Sequence, residues 1–241
     1  MNDAIRLQYL AAMGINVWIP RVITTVKQPL PAAIEPENQM TASPIEDSQS
    51  SPDTWDNLKT EVQHCTLCGL CSTRTQTVFG AGNQHADWLI IGEAPGEQED
   101  KQGLPFVGVA GQLLTEMLRA IGLSREQVFM ANILKCRPPN NRDPHVDEIK
   151  HCKEYLQRQQ QLIQPKIILA IGRIAAHALL ETNEPLASLR GKVHSFNNTP
   201  VIVVYHPAYL LRSLPEKRKA WQDLQFAKHT VITMEQQSCV D

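Results

Sequence analysis

Short apolar runs alternate with helical stretches along most of this chain, and the alternation restricts the fold more than any other feature. Four runs of strand length, rich in β-branched residues, lie at 88–92, 128–134, 167–172 and 201–205. They are continuous rather than alternating, as expected of strands that are covered on both faces. Helical periodicity separates them at 110–121, 147–163 and 174–181. This order predicts an α/β domain in which a parallel sheet carries helices on both faces.

Polar residues mark the ends of these predicted strands. Gly92 and Glu93 close the first run, Asn132 lies near the end of the second, Gly172 closes the third and His206 follows the fourth. Ligands of open parallel sheets bind beyond the carboxyl ends of the strands, so we expect a binding site there. The alternative for a single asparagine or histidine at a strand end is a turn, cap or other structural role.

The 241 residues give room for one domain of ordinary size and a tail. We predict an amphipathic peptide at 1–20, a flexible linker rich in Pro and Ser at 21–53, the folded domain at 54–234 and a disordered tail at 235–241. No apolar run has the length of a membrane span, and the first residues do not resemble a signal peptide. We therefore expect a cytoplasmic protein without membrane association.

Four of the six cysteines form two groups that a folded domain could bring together. Cys65 and Cys68 make a C-x-x-C pair, and Cys136 and Cys152 follow far downstream. In a reducing compartment, grouped cysteines more often bind metal than form disulfides. Four thiolates suit an iron–sulfur cluster and a zinc ion equally well, and the spacing does not choose between them. The remaining alternative is a set of buried structural thiols.

Several segments together resemble the family 4 uracil-DNA glycosylases, the iron–sulfur type of the uracil-DNA glycosylase superfamily. The matching stretches are CTLCGLCSTRTQTVFGAGN, IIGEAPGEQEDKQGLPFVGVAGQLL, ANILKCRPPNNRDP and VVYHPAYLLR, within about residues 60 to 225. The resemblance implies a three-layer α/β/α sandwich around a four-stranded parallel sheet. It also implies a 4Fe-4S cluster on Cys65, Cys68, Cys136 and Cys152, and hydrolysis of the N-glycosidic bond of uracil in DNA. The first 55 residues lie outside the match.

The resemblance assigns roles in a pocket for an extruded uracil. Phe106 matches the aromatic platform on which the base stacks. Asn132 can accept from N3–H and donate to O4 of uracil, a pairing that cytosine would invert. His206, with backbone N–H groups around Glu93, would stabilise the negative charge that gathers on O2.

The group that prepares the attacking water stays open between two glutamates, Glu93 and Glu99, since Ala94 cannot act. Glu99 could instead crowd C5 of the base and exclude the methyl group of thymine. The chain shows neither a helix-hairpin-helix with a catalytic lysine nor a His-containing insertion after GVAGQ. We therefore expect a monofunctional enzyme that leaves an abasic site.

Binding to DNA must use a local basic surface, because the net charge of the whole chain is −2. The loop between Cys136 and Cys152 and the segment after His206 are the candidates. Basic side chains there would bind phosphates, and apolar ones would enter the stack that the base leaves. The predicted DNA contacts are Arg137, Asn141, Arg142, Leu210, Leu211 and Arg212.

Two other functions are compatible with the same residues. The peptide at 1–20 loosely resembles the N-terminal peptide of the bacterial clamp-loader psi subunit, so a partner in the replication machinery is one expectation. Folding back on the domain and simple disorder are the alternatives. The chain could then be a non-catalytic replisome accessory protein that keeps the fold. Intact Glu93, Phe106, Asn132 and His206 speak against this. A four-thiolate zinc protein or electron carrier is a further alternative.

Overall fold

A computed structural model of the chain describes residues 54–238. In this part of the chain, one sheet contains six strands in the spatial order β1-β3-β2-β4-β6-β5. The strands are β1 Ala81–Gly82, β2 Trp88–Gly92, β3 Phe129–Asn132, β4 Ile167–Ile171, β5 His194–Phe196 and β6 Thr199–Val204. The four predicted strand runs are therefore confirmed as β2, β3, β4 and β6.

The sheet is mixed, and the prediction of a purely parallel four-stranded sheet is wrong. Strands β3, β2, β4 and β6 do run parallel to one another, but β1 pairs antiparallel with β3 and β5 pairs antiparallel with β6. The two edge strands have two and three residues, too few to produce a recognisable apolar run. Asn197 and Asn198 join β5 to β6 with positive φ angles, the backbone that a tight hairpin requires.

Helices cover both faces of the sheet, as predicted. Among the described residues the α-helices are α1 Trp55–His64, α2 Glu97–Gln102, α3 Val109–Ala120, α4 Val146–Ile163, α5 Arg173–Leu180, α6 Leu186–Leu189, α7 Pro207–Arg212 and α8 Lys217–Ser238. One core layer packs side chains of α4 and α5 against alternate residues of the strands, and the other packs those of α3, α7 and α8 against the intervening residues. Every residue of β2 and β4 is buried for this reason.

The boundaries of the described part agree only in part with the predicted domain. Helix α1 begins at Trp55, where Thr54 Oγ1 accepts from the backbone N–H of Asn57. At the other end α8 continues to Ser238, past the predicted end of the domain at 234, so 235–238 are helical rather than disordered. The predicted peptide at 1–20, the linker at 21–53 and residues 239–241 lie outside the described residues. Within 54–238, none of the helices has the length and apolar character needed to cross a membrane.

Candidate active site

A cavity of about 700 Å³ opens beyond the carboxyl ends of the parallel strands. Each central strand contributes to its wall, as the topology of an open α/β sheet leads one to expect. The five residues predicted to bind uracil or to catalyse its release all line this cavity: Glu93, Glu99, Phe106, Asn132 and His206. Residues that are widely separated in sequence therefore face one space.

Gly92 leaves space for the side chains of two of these residues, Asn132 and Phe106. It ends β2 directly beside Asn132, the last residue of β3. A Cβ atom built on Gly92 would lie 2.5 Å from Oδ1 of Asn132 and 2.5 Å from Cζ of Phe106. Both distances are far below van der Waals contact, so only glycine allows the amide and the ring to border one narrow space.

A buried lysine, Lys135, forms a hydrogen bond with the backbone of Asn132. Asn132 is 3% exposed, and its carbonyl oxygen accepts from Nζ of Lys135 at 2.9 Å. Lys135, only 1% exposed, also donates to Oε1 of Gln159 at 2.6 Å. The lysine thus fixes the main chain of Asn132, whose side chain lines the cavity.

Phe106 occupies a strained backbone conformation. Its φ angle is 54°, in the left-handed region where a residue other than glycine costs about 1–3 kcal/mol. Two charged side chains hold this turn. Oε1 of Glu99 accepts from the backbone N–H groups of Val107 at 2.8 Å and Gly108 at 2.9 Å. The guanidinium of Arg125 donates to the carbonyl oxygens that precede them, those of Pro105 and Phe106.

Helix α3 approaches the same turn so closely that its third residue must be glycine. A Cβ on Gly111 would lie 1.9 Å from the carbonyl oxygen of Phe106. The main chain at Phe106 is therefore confined by the helix as well as by the two charged residues. The single carboxylate oxygen that accepts both N–H groups also explains what Glu99 does: it anchors the Phe106 turn.

Glu93 is half-buried at the end of β2 and lines the cavity. Burial raises the pKa of its carboxyl group from 4.5 to about 7. The nearby carboxylate of Asp143 acts in the same direction, and the guanidinium of Arg173 opposes it. A carboxyl group with a pKa near neutrality can bind and release a proton at physiological pH.

His206 follows β6 and caps helix α7. Burial lowers its pKa from 6.5 to about 4; the charge of Arg212 adds to this effect and that of Glu99 opposes it. Its Nδ1 accepts from the backbone N–H of Ala208 at 3.1 Å. Since the neutral ring has one proton and Nδ1 is an acceptor, the proton lies on Nε2. His206 is therefore a neutral donor at neutral pH.

Gly172 makes room for that histidine. Its φ angle is 91°, and a Cβ atom there would lie 2.8 Å from Cβ of His206. A side chain at position 172 would both strain the backbone and displace the imidazole. The glycine at the end of β4 thus has a steric function in the site.

The four predicted cysteine ligands lie in the layer that contains α4. Cys136 and Cys152 are buried in the core, Cys68 packs against the same core cluster, and Cys65 packs beside it against α1 and α4. Burial raises the pKa values of the thiols of Cys68, Cys136 and Cys152, and neighbouring cysteines add to each rise. Nη1 of Arg74 donates to Sγ of Cys136 at 3.1 Å. The cysteines are therefore near neighbours with one cationic donor at hand.

The described residues contain no group of three or more His, Cys, Asp or Glu side chains arranged around a single metal ion. Four cysteine thiolates are the ligand set of structural zinc sites and of iron–sulfur clusters alike, so the chemistry of these residues fits either group.

Comparison with known proteins identifies the family of this fold and site. Residues 79–225 match the family model described as the uracil DNA glycosylase superfamily. The chain belongs to that superfamily. Within it, the chain groups with the type-4 uracil-DNA glycosylases, which confirms the resemblance inferred from the sequence motifs.

Three curated relatives illustrate the similarity, and each is named a type-4 uracil-DNA glycosylase. The protein of Archaeoglobus fulgidus is 43% identical over 69% of this chain and 87% of its own length. That of Sulfurisphaera tokodaii is 45% identical over 71% of this chain and 81% of its length. That of Thermotoga maritima is 41% identical over 69% and 89%.

Some of the predicted DNA contacts are exposed, whereas others are buried or bonded to other residues of the protein. Leu211 is 40% exposed on α7, whereas Leu210 is 1% exposed and packs in the core, so the prediction of a DNA contact for Leu210 is wrong. Successive helical residues point about 100° apart, which places these neighbours on different faces. Arg212 lines the cavity.

The loop between Cys136 and Cys152 holds its own side chains together. Nε of Arg137 donates to Oδ1 of Asn141 at 2.8 Å. Arg142 makes a bidentate pair with Glu148, at 2.9 and 2.6 Å. Asn141 and Arg142 also line the cavity. These residues order the cavity rim, and their capacity for phosphate is partly used within the protein.

Sequence reasoning missed three charged residues of the site. Arg125 and Lys135 act on backbone groups around Phe106 and Asn132, and Arg173 lines the cavity beside Glu93. The single available signal was that Arg173 directly follows Gly172 at a strand end. Arg125 lies outside the matching stretches, and Lys135 lies within one of them without being singled out there.

Proposed function

We propose that this protein hydrolyses the N-glycosidic bond of uracil in DNA and leaves an abasic site. The observation that carries the proposal is the convergence of Glu93, Phe106, Asn132 and His206 on one cavity at the strand ends. The type-4 relatives, whose names state this activity, support it. A base inside a duplex cannot reach such a cavity, so the target nucleotide must first be extruded.

Phe106 and Asn132 would bind and select the base. The ring of Phe106 offers a stacking surface, and base–aromatic stacking is typically worth about 1–3 kcal/mol per base. The amide of Asn132, buried and with a fixed main chain, would accept from N3–H and donate to O4 of uracil. Cytosine would set acceptor against acceptor and donor against donor, leaving buried groups unpaired.

His206 would act on the leaving group. As the bond between C1′ and N1 breaks, negative charge develops on the uracil ring, chiefly at O2. The neutral imidazole carries its proton on Nε2 and can donate it as a hydrogen bond to that oxygen. A preorganised donor of this kind is typically worth about 10²–10³-fold in rate.

Glu93 is the better candidate for positioning the water that attacks C1′. Its pKa near 7 leaves a substantial fraction of carboxylate at neutral pH. Glu99, the other candidate, already accepts two backbone N–H groups through Oε1 and so has less freedom to orient water. We therefore assign Glu99 to the anchoring of the Phe106 turn.

Cys65, Cys68, Cys136 and Cys152 would hold a 4Fe-4S cluster. When bound, such a cluster supplies cross-linking of the chain segments that carry its ligands. Arg74 would stabilise thiolate character at Cys136 by its hydrogen bond to the sulfur. The buried residue Asp100 accepts from the backbone and hydroxyl of Thr75, which ties the cysteine-containing segment to α2 beside the cavity.

Contacts with DNA would come from the rim of the cavity. Leu211 is the exposed apolar side chain that could fill the gap in the base stack. Arg212, Arg137 and the Asn141–Arg142 segment would bind the phosphate backbone. A replication partner for residues 1–20 stays a prediction, since those residues lie outside the described part.

The test is incubation with an oligonucleotide containing one uracil, followed by alkali. We expect an alkali-labile site at uracil and none at cytosine or thymine in the same position. His206→Ala and Asn132→Ala should each lower the rate by about 100-fold or more. His229→Ala and Asn83→Ala, at exposed positions, are matched controls that should retain activity. A folded, iron-replete wild type without product would instead favour a non-catalytic accessory protein.

A further inference from the structure

The turn that carries Phe106 is gripped by a residue that does not line the cavity. Arg125 lies in the loop between α3 and β3, and its guanidinium reaches three acceptors. Nη1 donates to the carbonyl oxygen of Phe106 at 3.0 Å and to Oγ1 of Thr115 at 3.1 Å. Nη2 donates to the carbonyl oxygen of Pro105 at 2.9 Å. Two successive main-chain carbonyls are thus bound by one rigid fork.

A negatively charged side chain, Glu99, binds the next two residues of the same turn. The carboxylate of Glu99 accepts from the N–H groups of Val107 and Gly108. The carbonyl groups of Pro105 and Phe106 therefore accept from the cationic Arg125. The N–H groups of the two residues that follow donate to the anionic Glu99. This arrangement fixes the orientation of both peptide groups around Phe106, whose φ angle of 54° would otherwise relax to an ordinary value.

The Phe106 ring and the Asn132 amide border the same narrow space beside Gly92. A Cβ atom built on Gly92 would lie 2.5 Å from Cζ of Phe106 and 2.5 Å from Oδ1 of Asn132. Rotation of the peptide at Phe106 would move the ring relative to the amide that reads the base. A stacking surface and a hydrogen-bonding edge must keep their separation for both to engage one planar ligand.

We propose that Arg125 is a positioning residue that fixes the Phe106 ring through the carbonyls of Pro105 and Phe106, and so sets the affinity for the extruded base. This inference rests on the proposed function and deepens it. Arginine suits the task because its planar fork reaches two acceptors at once, whereas the ammonium of lysine is a point charge. Stacking holds the base equally before and during bond cleavage, so its loss should weaken binding more than chemistry.

The test compares Arg125→Ala, Arg125→Lys and the control Arg119→Ala, which removes an exposed arginine of α3 that pairs with Glu116. Excision of uracil from a single-uracil oligonucleotide is followed under steady-state and single-turnover conditions. We expect Arg125→Ala to raise KM, and the enzyme concentration that half-saturates a single turnover, by about tenfold. The maximal rate should fall by less than about threefold, and Arg125→Lys should recover part of the affinity. Arg119→Ala should match the wild type.

Circular dichroism and thermal unfolding accompany each variant. Equal KM values for Arg125→Ala and Arg119→Ala would overturn the inference, as would a fall in maximal rate with KM unchanged. Loss of the native spectrum in both Arg125 variants would also overturn it, because the arginine would then support the whole fold rather than the ring. An inactive wild type would instead remove the proposed function itself, and the inference with it.

Discussion

Replacement of Glu93 by glutamine should stabilise the protein and at the same time strongly reduce its activity. The pKa of Glu93 is raised from 4.5 to about 7, so the folded state binds a proton more tightly than the unfolded state does. Stability therefore falls as the pH rises through this interval, and the full penalty is present above about pH 7. The shift corresponds to about 3 kcal/mol. Because the side chain is partly exposed, we expect Glu93→Gln to gain about 1–2 kcal/mol near pH 8.

Urea denaturation of Glu93→Gln and the wild type across the pH range measures this effect. The gain in the free energy of unfolding should shrink towards zero as the pH falls to about 4.5, where the wild-type carboxyl is protonated in both states. In the same range, kcat/KM of the wild type should rise with pH and level off above about 7, since the carboxylate is the form that orients water. Glu93→Gln should lose about 100-fold or more in rate.

Glu116→Gln, at an exposed position of α3, is the matched control and should change neither property. A gain in stability that is equal at every pH would refute the reasoning, because it would not come from the proton. Full activity of Glu93→Gln would show that the carboxylate does not prepare the water. In either case the assignment of Glu93 fails independently of the fold.

Three further changes test other parts of the structure. Gly92→Ala places a methyl group 2.5 Å from two site residues and should lower kcat/KM by about tenfold or more without loss of fold, measured by uracil excision. Leu210→Ala should lower the free energy of unfolding by about 2–5 kcal/mol in urea, whereas Leu211→Ala should leave stability unchanged and weaken binding to uracil-containing DNA. Cys152→Ser should lose iron, measured by metal analysis and visible absorption, and unfold at a lower temperature; unchanged iron content would contradict the ligand assignment.

The central strands could be predicted because burial on both faces leaves an uninterrupted apolar run. Each residue of β2 and β4 must be apolar or small, and the sequence records this directly. The edge strands could not be predicted, because β1 has two residues and is held by pairing with β3 rather than by its own side chains. Their existence depends on tertiary contacts that no local pattern encodes.

The same distinction applies to the site. Glu93, Asn132 and His206 could be placed because strand ends of a parallel sheet converge, whatever the rest of the chain does. Arg125 could not, since its importance depends on which carbonyl groups the fold brings within reach of its guanidinium. The choice between Leu210 and Leu211 required the exact rotation of α7 against the core, which two adjacent leucines do not reveal.

The two antiparallel edge strands of the sheet influence whether copies of this protein associate with one another. A long, unpaired margin invites a strand from another molecule and begins aggregation. Within residues 54–238 the edge strands are β1 and β5, with two and three residues, which leave very few backbone groups unpaired. Copies of the protein that bind close together on one nucleic acid should therefore stay separate, because these short edges offer little backbone for pairing.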